Sequence, residues 1–388
     1  MNKNINFSKK IILQIKKVVG SNFAHLHRPS LIGNEKKYII KSLNKNYVSS
    51  AGPDVERFEK KISRITGAKY SIAVSSGTAA LHLSLKALNI KKNDEILIPT
   101  LNYIASSNAT IYCDANPHFI DIEKKTLGVD CNKLEKYLLK NTFFINKKTY
   151  NKNTKRLIKA IIPTHMFGHP VNMSELAKLA KKFNLQIIED ASEALGSYYK
   201  GKHLGTFGQV GVISFNGNKI ITTGGGGIVI TNNKVLANKV RHLSNVAKIY
   251  KKHETEHDIV AFNYKMPNIN AVLGIAQLEN LKKFLKFKRN LFIKYKKNLS
   301  KFKGIIVFKE PLNGKSNYWL QTLIINSKFK NIKKELFKYA NIEGVAIRSA
   351  WTLMHKNKYL KRFPKMDLSN ANKIQKSIIN IPSSYFRN

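Results

Sequence analysis

Between Tyr70 and Thr231, short apolar runs alternate with stretches whose apolar residues recur every three or four positions. The runs YSIAV, EILIP, HFIDI, KAIIP, LQIIE and GIVIT are too short for helices and rich in β-branched residues, so they predict strands. The stretches between them, such as AALHLSLKAL and SELAKLAKKF, predict helices. Strand and helix in alternation argue for an α/β domain with a mostly parallel central sheet and helices on both faces. Ligands of such sheets collect at the carboxyl ends of the strands.

The flanks differ. Residues 5–19 place Ile5, Phe7, Ile11, Ile12, Ile15, Val18 and Val19 partly at helical spacing among lysines, which predicts a basic amphipathic helix packed on its own protein. Helices are predicted from Glu35 to Leu43 and from Pro53 to Ile65, separated by a VSSAG turn. Residues 131–159 lose the periodicity after one helix and read as a lysine-rich surface insertion. A basic helix near Ala237–Ala247 follows, then a long amphipathic helix within 262–299, then the strands and helices of a smaller α+β C-terminal domain. The division expected is an N-terminal arm at 1–30, a large α/β domain at 31–250 and the small domain at 251–388.

Composition narrows the class. A hydrophobic fraction of 43% over 388 residues is that of a globular protein with a sizeable core. The formal net charge of +45, from 68 Lys and Arg against 23 Asp and Glu, predicts general attraction to polyanions. No RNA-recognition aromatic motif and no zinc-finger spacing accompanies it, so specific nucleic-acid binding is not expected. Cys113 and Cys131 alone provide neither a disulfide framework nor a metal-ligand pattern, and the natural setting for such a chain is the reducing cytoplasm. The N-terminal apolar pieces are too short and too interrupted for a membrane span.

Three strand ends carry candidate chemistry. In Ser214–Thr231, SFNGNKIITTGGGGIVIT, Lys219 lies on a loop between two strands and precedes four glycines, a place to present a side chain. A glycine-rich hairpin with a solvated lysine would look the same. At SSGT, Ser75 to Thr78, small residues join a strand to a helix, and the unpaired N–H groups of that first turn form an anion site. A plain N-cap at Ser76 or Thr78 is the alternative. Asp190 follows the apolar strand LQIIE and could be a helix cap or the partner of a protonated ring nitrogen. Together the three match pyridoxal 5'-phosphate (PLP), which requires a phosphate cup, a carboxylate at its pyridine nitrogen and an amine for covalent attachment. Ser214 could add a hydroxyl to the cup. RSAWTLMH, residues 348–355, brings Arg348, Trp351 and His355 close together as a substrate lip or a packed surface loop.

The blocks GNEKKY (33–38), VSSAG (48–52), SSGTAALH (75–82), HMFGHP (165–170), EDASEALGS (189–197), SFNGNKIITTGGGG (214–227), NYKMPNINA (263–271) and SAWTLMH (349–355) resemble, in order, those of the DegT/DnrJ/EryC1/StrS sugar aminotransferases, most closely the LegC-like branch. The resemblance runs from about His27 to the C-terminus. It implies a fold-type-I, PLP-dependent transaminase that is a homodimer with each site completed by the neighbouring subunit. By position, Lys219 would bind the cofactor and shuttle the proton, and Asp190 would pair with the pyridine nitrogen. Gly77, Thr78 and Ser214 would hold the phosphate, Tyr103 would stack on the ring and Glu193 would lie near the ring oxygen. Asn263 and Lys265 would reach the phosphate of the partner subunit's site, with lysine at 265 replacing the usual arginine. Ser49, His165, Arg348, Trp351 and His355 fall where substrate contacts are expected.

The implied reaction is ping-pong transfer from L-glutamate to the 4-keto group of a UDP-linked 4-keto-6-deoxy-N-acetylhexosamine for a surface glycan, of the legionaminic acid or bacillosamine type. A GDP-linked keto sugar of the perosamine type is the alternative within the family. A basic nucleic-acid-binding protein and a non-catalytic, cofactor-bound regulator are the readings from other classes.

Overall fold

The computed structural model describes residues 3–20, 23–326 and 332–386. The apolar runs form a seven-stranded sheet from β1 (Tyr70–Val74), β2 (Glu95–Pro99), β3 (Asn116–Ile120), β4 (Ile158–Ile161), β5 (Gln186–Asp190), β6 (Val210–Ser214) and β7 (Gly227–Thr231), in the order β1-β7-β6-β5-β4-β2-β3. From β6 to β3 all neighbours are parallel, and β7 runs antiparallel to both β6 and β1. Helices cover the sheet, so nearly every strand side chain is buried and the strands read as continuous apolar runs. The expected α/β architecture with a mostly parallel sheet is the one found.

A second, antiparallel sheet lies in the C-terminal part: β8 (Ile305–Val307), β9 (Gln321–Ile325), β10 (Arg348–Ser349) and β11 (Ile378–Ile381), in the order β8-β9-β11-β10. Its core takes in the N-terminal helix Lys3–Val19, whose Ile11, Ile12, Ile15, Val18 and Val19 pack with Leu291, Tyr295, Leu299, Ile332 and Leu336. The arm expected at 1–30 thus shares the small-domain core. Its apolar stripe would otherwise face water.

The single long helix expected within 262–299 is two helices, Asn268–Glu279 and Leu281–Leu299, broken at Asn280 (φ −98°, ψ 0°). The first is apolar almost all round and packs into the large core beside Phe58. The second begins on that core with Leu281 and Phe284 and ends on the small one with Leu291, Phe292 and Leu299. The second helix therefore passes from the large core to the small one between residues 284 and 291, and the chain returns to the large core with Met354, Leu360, Phe363, Met366 and Leu368. Periodicity alone conceals this, because both helices keep an apolar stripe in register through the break.

The lysine-rich insertion is a hairpin, Thr142–Ile145 with Lys148–Asn151. Its outer residues are exposed, but Thr149 and Asn151 are buried, and Asn151 Nδ2 donates to Glu95 Oε2 at 2.9 Å. His118 Nδ1 lies 2.8 Å from the same oxygen, so the insertion helps satisfy a carboxylate with no access to water. Among the described residues no helix is long and apolar enough to cross a membrane, and no group of His, Cys, Asp and Glu could hold a metal.

His169 is fully buried against the rings of Phe308 and Tyr318, and neither ring nitrogen has a hydrogen-bond partner. Burial pushes its pKa down to about 3. Below the unfolded value near 6.5 the unfolded chain binds the extra proton and the folded chain does not, so stability falls as pH falls from about 6.5 towards 3. The slope from this one group is up to about 1.4 kcal/mol per pH unit. His169→Phe keeps the ring and should flatten the decline; melting temperatures measured from pH 7 to pH 4.5 that fall in parallel in both proteins would exclude this assignment.

Candidate active site

The carboxyl ends of β1, β5 and β6 open into a cavity of about 530 Å³ lined by both domains. On its floor is Asp190, the last residue of β5. Asp190 Oδ2 accepts from Ser106 Oγ at 2.9 Å and from Asn102 Nδ2 at 3.5 Å, and Oδ1 accepts from Ser192 N at 3.2 Å. Asn102 Nδ2 also lies 2.6 Å from Thr164 Oγ1. These neighbours fix the orientation of the carboxylate while it faces the cavity.

The Gly77–Ala87 helix begins at the wall. Ser76 caps it, its Oγ accepting from Ala79 N at 3.0 Å. The N–H groups of Gly77 and Thr78 stand in the first turn, where the helix supplies no acceptor. Gly77 is pressed against Ser214: a Cβ built on it would lie 3.0 Å from Ser214 Cβ. The cap thus leaves the start of the helix facing the cavity, where Gly77, Thr78, Ser192 and Ser214 come together.

Lys219 rises from the loop between β6 and β7, held by a turn in which its N–H donates to Asn216 O at 3.0 Å. Its Nζ lies 3.4 Å from Glu193 Oε1 and 4.1 Å from the centre of the Trp319 ring. Glu193 Oε2 accepts from Phe167 N at 2.7 Å. Burial raises the Glu193 carboxyl to about 7, against the opposing pull of Lys219 and the Phe167 N–H. The backbone that delivers this N–H is special, with Phe167 at φ +56° and Gly168 at φ +90°. A Cβ at Gly168 would come within 1.9 Å of Asn317 Oδ1.

Tyr103, 54% exposed, stands at the mouth with its ring 6.0 Å from that of Trp351. Arg348 and Trp351 close the opposite side from the small domain. The cavity thus gathers Gly77, Thr78, Tyr103, Asp190, Glu193, Ser214, Lys219, Arg348 and Trp351.

Other candidates lie elsewhere. His165 is fully buried, with Nε2 3.1 Å from Glu189 Oε2 and Nδ1 accepting from Val171 N at 3.3 Å. In an extended segment neighbouring side chains point to opposite faces, so Thr164 takes the cavity side and His165 the core side. His355 pairs with Thr100 at 2.7 Å and does not line the cavity. Ser49 is exposed on the turn before the second helix, its carbonyl accepting from Asn268 N at 2.8 Å. Asn263 and Lys265 form bridges with Asn245 and Val74 and lie outside the cavity of their own chain. Sequence reasoning missed His27, Asn102, Ser106, Thr164 and Trp319. Of these only Trp319 had a legible signal, one of the chain's two tryptophans standing just ahead of the apolar strand Gln321–Ile325.

The residues fit PLP: a helix start at Gly77 packed closely on Ser214, a pinned carboxylate on the floor, an amine opposite and an aromatic ring at the mouth. Fold and site together define a PLP-dependent transaminase of fold type I. The model of the DegT/DnrJ/EryC1/StrS aminotransferase family matches residues 29–385, and the chain belongs to that family of sugar-nucleotide aminotransferases. It is 39% identical to GDP-perosamine synthase of Escherichia coli O157:H7 over 77% of each chain. It is 32% identical to the UDP-4-amino-4,6-dideoxy-N-acetyl-beta-L-altrosamine transaminase of Campylobacter jejuni, over 87% of this chain and 86% of that one. In fold it is similar to Helicobacter pylori PseC, an aminotransferase involved in the biosynthesis of pseudoaminic acid, with a TM-score of 0.83, 24% identity and 93% of each chain covered.

Lys219 is the strongest charge opposing the desolvation of Glu193. Lys219→Met should therefore move the Glu193 titration above its midpoint of about 7, as read by carbon NMR of protein labelled at glutamate side-chain carboxyls. A midpoint that stays or falls would show that the two groups do not interact.

Proposed function

We propose that the chain transfers the amino group of L-glutamate to the 4-keto carbon of a nucleotide-linked 4-keto-6-deoxyhexose. The observation that carries this reading is the meeting of Lys219, Asp190 and the Gly77–Thr78 helix start in one cavity. PLP, when bound, supplies an electron sink that stabilises negative charge on the carbon losing its proton. Lys219 is the residue to hold the cofactor covalently. Once released, its Nζ is the base that takes a proton from the donor's α-carbon and returns one to the acceptor. Asp190, pinned by Ser106 and Asn102, is placed to keep the cofactor's ring nitrogen protonated. Gly77, Thr78 and Ser214 bind phosphate, Tyr103 covers the ring, and Glu193 steers the Lys219 amine while its own charge varies near neutral pH. Arg348 and Trp351 face the substrate side. Asn263 and Lys265, outside their own cavity, are assigned to the neighbouring site of a homodimer.

For the acceptor, the higher identity to the E. coli enzyme favours a GDP-linked 4-keto-6-deoxymannose. The likeness to the C. jejuni transaminase and the LegC-like sequence blocks favour the second reading, a UDP-linked 4-keto-6-deoxy-N-acetylhexosamine.

The purified protein should be yellow, and Lys219→Ala should abolish borohydride-trappable cofactor. Trapping on another lysine would overturn the assignment. Asp190→Asn should retain cofactor but lose most turnover, and near-normal turnover would remove Asp190 from its role. Spectral titration with glutamate, then with each keto sugar in turn, should return the glutamate-reduced chromophore to its starting spectrum with only one nucleotide. Equal response to both would mean that the nucleotide is not read.

A further inference from the structure

The tryptophan beside Lys219 is fixed on every side. Trp319 is 2% exposed, and its indole Nε1 donates to Asn218 O, one residue before Lys219, at 2.6 Å. Its backbone N donates to Asn317 Oδ1 at 2.8 Å. Its carbonyl accepts from Ser383 Oγ at 2.8 Å and from the buried amine of Lys288 at 2.9 Å. Lys288 also donates to Ser383 O. Asn317 is itself tied to the loop that carries Glu193, donating from Nδ2 to Glu193 O at 2.8 Å and to Leu195 O at 2.9 Å. A side chain held only to fill space does not need its ring, its N–H and its carbonyl all fixed by different segments. What these bonds hold constant is the position of the indole face, and the charged group over that face is Lys219 Nζ, 4.1 Å from the ring centre.

We propose that Trp319 is a positioning residue whose indole face is the docking place of the Lys219 amine whenever that amine is not bonded to the cofactor. This rests on the assignment of Lys219 made above. A released lysine amine has a flexible four-carbon stem and would otherwise explore the cavity or turn to solvent. Glu193 alone is a variable anchor, because its carboxyl gains and loses charge near neutral pH. The ring quadrupole does not titrate, so the indole face attracts a cation whatever the charge on Glu193. The pair therefore keeps Nζ within reach of the carbon from which it must take a proton, at any protonation state of Glu193.

The test uses the cofactor-free full chain, so that it reads the Trp319–Lys219 contact independently of whether the sugar chemistry is right. The chain has two tryptophans, Trp319 and Trp351, so a Trp351→Phe background leaves position 319 as the one site for fluorotryptophans. Successive fluorines weaken the ring quadrupole while leaving size and the indole N–H in place. At fixed pH, acetic anhydride labels only the unprotonated amine, and the modified Lys219 peptide is counted by mass spectrometry. The labelling rate should rise step by step with each added fluorine, by about 2–5-fold across the series. Trp319→Leu should label at least as fast as the most fluorinated protein. A rate that is flat across the fluorine series overturns the proposal, including the case where Trp319→Leu alone labels faster, which would mean that the indole merely shields the amine. Failure to bind PLP with a graded labelling series would instead sink the cofactor assignment and leave the contact standing.

Discussion

The close approach of β7 to the start of the Gly77–Ala87 helix is the constraint from which the site follows. β7 enters the sheet against the direction of its neighbours and pairs Gly227 with both Val74 and Ser214. A Cβ at Gly227 would lie 2.4 Å from Ser76 O and 2.6 Å from Gly77 N, so only glycine permits the contact. Because β6 ends and β7 begins at the same mouth, the loop between them must leave and return there, and it carries Lys219. The return is braced from behind: Asn270 Nδ2 donates to Thr223 O at 2.7 Å and to Gly225 O at 3.1 Å. This gives the Asn268–Glu279 helix a reason to belong to the large core. A glycine run that reads as flexible in the sequence is, in the fold, a tightly bonded bend.

The seam between the two cores does comparable work from the other side. Ser316 Oγ and Ser197 Oγ both donate to Gly168 O, at 3.0 and 2.8 Å, and Asn317 bridges to the Glu193 loop. These groups are buried, and leaving one unpaired would cost about 1–3 kcal/mol. The relative placement of the large-domain acid and the small-domain tryptophan is thus set by a network that cannot slide without losing several bonds at once. Lys288 adds to it in an unusual way. Its amine is buried without a carboxylate, and burial holds its pKa well below the lysine range. Its partners are carbonyl and hydroxyl oxygens of Trp319 and Ser383, so it joins the ends of two small-domain segments to a helix rooted in the large core.

What could be read from the sequence was what lies at strand ends. Lys219, Asp190 and Gly77 were legible because a short apolar run followed by a polar or glycine residue fixes both the strand and the side chain at its carboxyl end. Asn102, Ser106 and Thr164 were not, since their role is to orient Asp190 and nothing in their local pattern points to a residue more than twenty positions away. His165 misled for a related reason: whether it or Thr164 faces the cavity depends on pleat register, which a block match does not give. The arm helix and the break at Asn280 were hidden because amphipathic periodicity says that a helix buries a face but not which core it is buried in.

The charge of the chain and the charge of the site are separate quantities. The cavity wall carries Lys219 and Arg348 against Asp190 and Glu193, with His27, held neutral by burial and by Lys219 and Lys288 nearby, as the remaining titratable base. With both acids ionised these charges balance, although the whole chain carries +45. The surplus lysines act on an anionic nucleotide sugar mainly during approach, and screening cuts their reach to about 8 Å at physiological salt. Inside the cavity a near-neutral balance gives no general preference for anions, so the sugar must be chosen by hydrogen bonds and shape. Protonation of Glu193, which burial brings close to neutral pH, tips that balance to positive by one charge. The charge of the site is therefore sensitive to pH near neutrality through this buried carboxyl.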